Sequence, residues 1–190
     1  MSDRLFVAVV PPAPIVQAWD AFLEPRRDAE PGFRWTVAEG WHVTCAFMAD
    51  VPATLVEPLE EALRAVAERT TRFAVEVEGG GAFPDSDHAR ALWLGITEGA
   101  DELARLARRC RHAASGCGIE VEGGRFRPHL TIARTRPASA RRWLTILDAI
   151  PPAAWTVDRF TLLRSHLRPG GTGYETVGEY ALLPVAGSSH

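Results

Sequence analysis

Two short motifs in this sequence carry the residue types of acid–base chemistry: His42-Val43-Thr44 and His129-Leu130-Thr131. Histidine is the side chain whose unperturbed pKa lies near neutrality, so two of them can hold one proton and accept another in the same pH range. Side chains at i and i+2 of a strand share a face, about 6.6 Å apart along it. Each tripeptide then offers an imidazole and a hydroxyl to one side, while Val43, Cys45, Leu130 and Ile132 turn to the other. A phosphodiester fits between two such sets. In-line displacement at phosphorus needs a base on the attacking water, an acid on the leaving oxygen, and donors on the non-bridging oxygens. One His-x-Thr in a strand is ordinarily structural; two in a common register point to catalysis.

The register comes from an internal repeat. The histidines are 87 residues apart, and the same offset maps Leu5-Phe6-Val7-Ala8-Val9-Val10 onto Leu92-Trp93-Leu94-Gly95-Ile96-Thr97 and Phe73 onto Phe160. Each repeat supplies one histidine, and a pseudo-twofold would aim the two sets at each other. Hydrophobic periodicity supplies the positioning elements. Strands are expected at 4–10, 35–37, 41–49, 72–77, 90–97, 127–134, 155–165 and 174–183. Helices are expected from Pro14, at 52–70, at 101–117 and at 138–150. Residues 24–32 read as a loop, and Gly79-Gly80-Gly81 and Pro169-Gly170-Gly171 as turns. The expected fold is α+β: two pseudo-twofold-related lobes, each a mainly antiparallel sheet with helices packed outside, and a cleft between them. Residues 1–184 read as one bilobal domain formed by internal duplication, and 185–190 as a disordered tail.

Composition narrows the function. The chain has 190 residues, 46% hydrophobic and 24% charged, as in ordinary globular proteins. It contains no lysine, so all 21 basic residues are arginines. Walker-type phosphate loops, Schiff bases and lysyl-nucleotide intermediates are therefore excluded. Cys45, Cys110 and Cys117 form no CxxC pair, which disfavours a disulfide framework or a zinc site. No apolar run approaches membrane-spanning length, and no secretory signal is evident. A cytoplasmic monomer without cofactor or metal is the expectation. The net charge of −3 argues against non-specific coating of nucleic acid. Residues 123–147 nevertheless carry six arginines and no acid around the second motif, which would attract an anionic substrate.

The segments HVTCAF (42–47) and RPHLTIAR (127–134) resemble the paired signatures of the two-histidine (2H) phosphoesterases, in particular the RNA 2′,3′-cyclic phosphodiesterases, also called 2′-5′ RNA ligases. RLFVAVVPP (4–12), GAFPDSDHARALWLGI (81–96) and LLRSHLRPGGTGYE (162–175) resemble the same branch, so the likeness covers residues 4 to 183. It implies a bilobal fold and metal-free hydrolysis of a 2′,3′-cyclic phosphate, on RNA ends or nucleotides, to a 2′-phosphomonoester. By position, His129 would be the proton acceptor and His42 the proton donor; Thr44, Thr131 and Arg134 would bind the phosphate. Val7 stands where a second aromatic is common, which would weaken contact with a nucleobase.

Three histidines are set aside: His88 in a loop, His112 on a helix surface, and His166 at a strand end nearer the motifs. Cys45 alternates away from His42 and is not a nucleophile. The tryptophans read as core. The alternatives are another two-histidine activity (2′-5′ end joining, or hydrolysis of 2′-5′ oligonucleotides or ADP-ribose cyclic phosphate), a nucleotide-binding module without turnover, and a metal site on the two histidines.

Overall fold

The computed structural model describes residues 2–28, 32–168 and 171–185. In chain order the elements begin β1 (Ser2–Val9), α1 (Ala13–Arg27), β2 (Phe33–Trp35), a 3₁₀ turn (Ala38–Gly40), β3 (Val43–Pro52), α2 (Ala53–Ala67) and β4 (Phe73–Phe83). They continue β5 (Ala89–Glu98), α3 (Ala100–Gly116), β6 (His129–Ala138), α4 (Arg141–Leu147), β7 (Ala153–Val157), β8 (Arg159–Arg168) and β9 (Gly171–Ala181).

The strands join in the order β7-β4-β5-β6-β3-β1-β8-β9, with β2 also on β6. Under the 87-residue offset β1 answers to β5, β3 to β6 and β4 to β8, so this order is a palindrome about the β3–β6 junction. One lobe holds β1, β3, β8 and β9 with α2 and α3; the other holds β2 and β4 to β7 with α1 and α4. This is the two-lobed α+β architecture expected from the pattern. The lobes are not successive halves of the chain, however, because β4 pairs with β5 and β8 pairs with β1.

Alternation sorts each strand's side chains. Along β1, Leu5, Val7 and Val9 enter the main core, while Phe6 and Ala8 join Leu163 in a small cluster on the opposite face. The helices close the main core with Trp19 and Leu23, Leu59 and Leu63, Leu103 and Leu106, and Trp143 and Leu147. Each such side chain contributes about 1.5–3 kcal/mol by leaving water. The opposite face is left for the site.

Several expected boundaries move. Helix α1 continues to Arg27 through the segment expected as loop, despite Pro25 inside it. Arg26 donates to the Phe22 carbonyl and lies over the Phe22 ring, and Arg27 pairs with Asp20 at 2.5 Å, placing two cations at the negative end of the helix. The strand expected at 155–165 is two strands, interrupted at Asp158. Helix α4 starts late because β6 still pairs Ala138 with Ala89. The glycine triplet is no turn: β4 runs through it, with register shifts that bracket Val77 and Gly79 at φ +64°. Gly81 stands opposite Trp93, and a Cβ there would lie 2.2 Å from the indole. The triplet makes room for a ring. Residues 186–190 of the expected tail, and 169–170 of the expected turn, lie outside the described residues.

Candidate active site

The two His-x-Thr motifs meet at the junction of the lobes. The one β3–β6 pairing among the described residues is Val43↔Leu130, the middle residues of the two motifs. Antiparallel register about that pair sets His42 across from Thr131 and Thr44 across from His129. The two histidines are then diagonal neighbours, about 7 Å apart at Cβ. His42 itself sits one residue before β3, after the 3₁₀ turn that replaces the expected Glu39-Gly40 turn. His42, Thr44, His129, Thr131 and Arg134 all line one cavity of about 400 Å³, so the structure brings together all five expected residues.

Both imidazoles are held in the same way. Nδ1–H of His42 donates to the carbonyl of Gly40 at 2.7 Å, and Nδ1–H of His129 donates to the carbonyl of Arg127 at 2.6 Å. A carbonyl only accepts, so the proton of the neutral ring sits on Nδ1 and the lone pair on Nε2. Aromatic rings fix the ring planes. Phe6 and Tyr174 lie 4.7 and 5.4 Å from His42, and Phe83 and Trp93 lie 4.9 and 6.2 Å from His129. Burial pushes the His42 pKa below its ordinary value; His129 and the Arg134 cation push the same way, and the Gly40 carbonyl opposes them. Burial also lowers His129, with Arg134 adding to the effect and the Arg127 carbonyl opposing it. In the free protein at neutral pH both rings are therefore ready to accept a proton, and an anion between them would return one to the cationic form.

Arg134 reaches this face by a bulge. It is five residues beyond His129, and strict alternation would turn it into the core. The β5–β6 register shifts between Leu92↔Ala133 and Trp93↔Thr131, so Ile132 and Ala133 are both buried and Arg134 emerges on the cavity side. The same device recurs in the other repeat: the β1–β3 register shifts around Cys45 and Ala46, both buried, and Phe47 lines the cavity. Phe47 and Arg134 are 87 residues apart. Where one repeat offers a guanidinium, the other offers a ring, and Arg4 lies 5.3 Å over that ring.

The rest of the lining comprises Phe6, Thr36, Gly40, Glu122, Ser165, Thr172 and Tyr174, with Arg4 at the rim. Sequence reasoning missed Phe6, whose signal was its phase opposite to Leu5 and Val7, and left Tyr174 without a role. Val7 is fully buried on the helix side, so its departure from the aromatic does not touch the cavity. Cys45 is buried, with its thiol pushed up to about 12 by that burial. His88 bonds Asp85, and His166 bonds Glu175 at 2.8 Å on the strand face opposite to Ser165. Trp19, Trp41 and Trp143 are buried as expected; Trp93 reaches the site instead. Among the described residues, no cluster of three or more His, Cys, Asp or Glu side chains is placed to hold a metal ion. No helix among them is long and apolar enough to cross a membrane.

The model of the 2′-5′ RNA ligase superfamily matches residues 11–169. A Geobacillus stearothermophilus protein named RNA 2′,3′-cyclic phosphodiesterase is 31% identical over 95% of this chain, which spans 58% of that relative. An Aeropyrum pernix protein of the same name is 34% identical over 74% of this chain and 81% of its own length. Among solved structures, Escherichia coli LigT in apo form superposes with a TM-score of 0.78 at 26% identity, covering 96% of this chain and 98% of LigT. LigT complexed with 3′-AMP gives 0.73 at 29% identity, covering 96% and 99%.

Proposed function

The chain belongs to the 2′-5′ RNA ligase superfamily, and from that membership we propose that it hydrolyses the 2′,3′-cyclic phosphate of an RNA end or nucleotide to a 2′-phosphomonoester. One observation carries the reading: two imidazoles, each locked through Nδ1 to a carbonyl two residues upstream, share one cavity with two threonines and Arg134. Nε2 of His129 takes a proton from water as its oxygen attacks phosphorus. The bond from phosphorus to the 3′ oxygen breaks, and Nε2–H of His42 protonates that oxygen. Thr44 and Thr131 donate to the non-bridging oxygens, and Arg134 balances the charge gathering on them. The anion also raises the pKa of the ring that must give up a proton, so substrate binding itself prepares the acid. No step calls for a metal or cofactor.

The other relatives' names and the nucleotide in the LigT complex support a nucleotide substrate. We also read residues 1–184 as one functional unit that arose by duplication. The test is incubation with a 2′,3′-cyclic nucleotide in EDTA, resolving 2′- from 3′-monophosphate, beside His42→Ala and His129→Ala. The 2′ product alone, lost in both variants, is expected. A 3′ product would reverse the leaving group, and no turnover by the parent would sink the proposal.

A further inference from the structure

Arg134 does not stand alone on its face of the sheet. Strand β2 runs antiparallel to β6 with Phe33 opposite Thr135, Arg34 opposite Arg134 and Trp35 opposite Ala133. Directly opposed residues project to the same side. Phe33 and Trp35 turn toward the core, with ring centroids 6.2 and 4.7 Å from that of Trp143. Arg34 therefore projects to the cavity side with Arg134, and Thr36, two residues on, lines the cavity in the same phase. Arg136 follows Arg134 by two residues on β6 and is exposed, within the stretch where the β5–β6 register shifts between Arg134 and Ala138. Three exposed arginines thus occupy neighbouring positions of one ladder, running outward from the cavity.

Like charges directly opposite each other destabilise a sheet. A carboxylate would relieve them, yet among the described residues neither Arg34 nor Arg136 has a hydrogen bond or ion pair. Beyond the β3–β6 junction, β2 takes β3's place beside β6, and β2 pairs with no other strand among the described residues. The strip runs from the reacting centre to an open edge. A strand edge that leads out of the cavity and carries positive charge unrelieved among the described residues is suited to an anion that enters with the substrate.

We propose that Arg34 and Arg136 bind the second phosphate of the substrate: the phosphodiester that joins the terminal nucleotide to its 5′ neighbour in an RNA chain ending in a cyclic phosphate. This rests on the cyclic-phosphate reading of the cavity. Arg134 serves the reacting phosphate; its two neighbours present guanidinium forks where the chain leaves. A phosphate lying between Arg34 and Arg136 turns their mutual repulsion into two attractions. Contacts to backbone phosphate carry no base information, so the strip selects chain over mononucleotide and not one sequence over another.

A 5′-phosphate on a lone nucleotide presents similar chemistry, so the test uses three substrates. They are adenosine 2′,3′-cyclic phosphate, its 5′-phosphorylated form, and the dinucleotide ApA with a terminal cyclic phosphate. kcat/KM is measured for the parent, Arg34→Gln, Arg136→Gln and the double variant. The parent should favour the dinucleotide over the adenosine substrate. Each single variant should lose about fivefold of that preference, and the double variant nearly all of it, with turnover of the adenosine substrate unchanged. That unchanged turnover is also the check on folding. The slope of log kcat/KM against log salt for the dinucleotide should flatten by about 0.7 in the double variant, the value for one phosphate on a single strand. A matching gain for the 5′-phosphorylated nucleotide supports recognition of any phosphate at that position; a gain for the dinucleotide alone supports the internucleotide linkage. A parent without preference, or variants that lose all three substrates alike, would overturn the strip. A parent that turns over none of the three overturns the cavity reading instead.

Discussion

Gly81→Ala tests whether the aromatic wall behind His129 positions that ring. Gly81 faces Trp93 across the β4–β5 ladder, and the indole lies over it. An added Cβ would meet the indole at 2.2, 2.4 and 2.7 Å, the nearest more than an ångström short of ordinary contact. Two ring carbons and the ring junction of the rigid indole are involved. The ring must move bodily. Trp93 packs at 5.1 Å on Phe83, and both rings pack on His129. Overpacking of this kind costs about 1–3 kcal/mol, and for a chain of this size each kcal/mol lowers Tm by about 2–4 °C. The effect on catalysis should be larger in proportion, because an ångström of misplacement can cost about 10²-fold in rate. We expect kcat toward a 2′,3′-cyclic nucleotide to fall by about ten- to a hundredfold, with KM little changed. Trp93→Leu in the same background should restore Tm. Thermal melts and steady-state kinetics read both quantities. If Tm falls and kcat stays at the parent's value, Trp93 is mere packing and the wall does not position His129.

His42→Ala and His129→Ala should each lower kcat/KM by about 10²–10⁴. Together they should cost little more than either alone, since an acid and a base that act in one step are not additive. Both histidines are held below their ordinary value of 6.5, and the proposed reaction needs one of them protonated. kcat/KM, which reports the free protein, should therefore peak below pH 6.5 and decline as pH rises through the depressed values. The kcat maximum should lie at higher pH, because the bound anion favours imidazolium. Arg134→Gln removes a cation that depresses both rings. It should shift the kcat/KM profile upward in pH while lowering its height about ten- to a hundredfold, the range for a lost charged hydrogen bond. An unshifted profile would show that Arg134 does not face the histidines. Thiol titration should find Cys117 reactive in the native protein and Cys45 and Cys110 silent until denaturation, as their burial requires.

The histidine pair was legible because strand periodicity and an 87-residue repeat are both read by counting along the sequence, which is enough to put two histidines in matching positions. What counting could not supply was phase. A bulge is one extra residue in a ladder, and nothing in ILE-ALA-ARG spelling at 132–134 marks where the partner strand skips a position. Arg134 was found by likeness alone, at a spacing that alternation assigns to the core. The glycine triplet failed for a related reason. Glycine marks both a turn and a place where another group lies against the backbone, and only the partner strand, with Trp93 on it, distinguishes the two. Exchange of β4 and β8 between the lobes was hidden as well, since strand order depends on contacts distant in sequence.

Phase also explains how a fold built on an internal repeat departs from symmetry. Two identical half-sites would give two histidines of equal proton affinity, and neither would be committed to acid or base. The bulges recur at equivalent places, yet one delivers Arg134 and the other Phe47. Tyr174 crowds His42 from β9, whereas His129 has Phe83 from β4. Burial is the main influence on both rings, and Arg134 acts on both. The differences lie in residues that the repeat does not mirror. Replacing Phe47 by Arg should therefore erode the division of labour: with a guanidinium in each half, product analysis should show slower turnover and a pH profile displaced to lower pH, because a second cation makes both rings harder to protonate. A profile left in place would mean that the asymmetry arises elsewhere than at these paired positions.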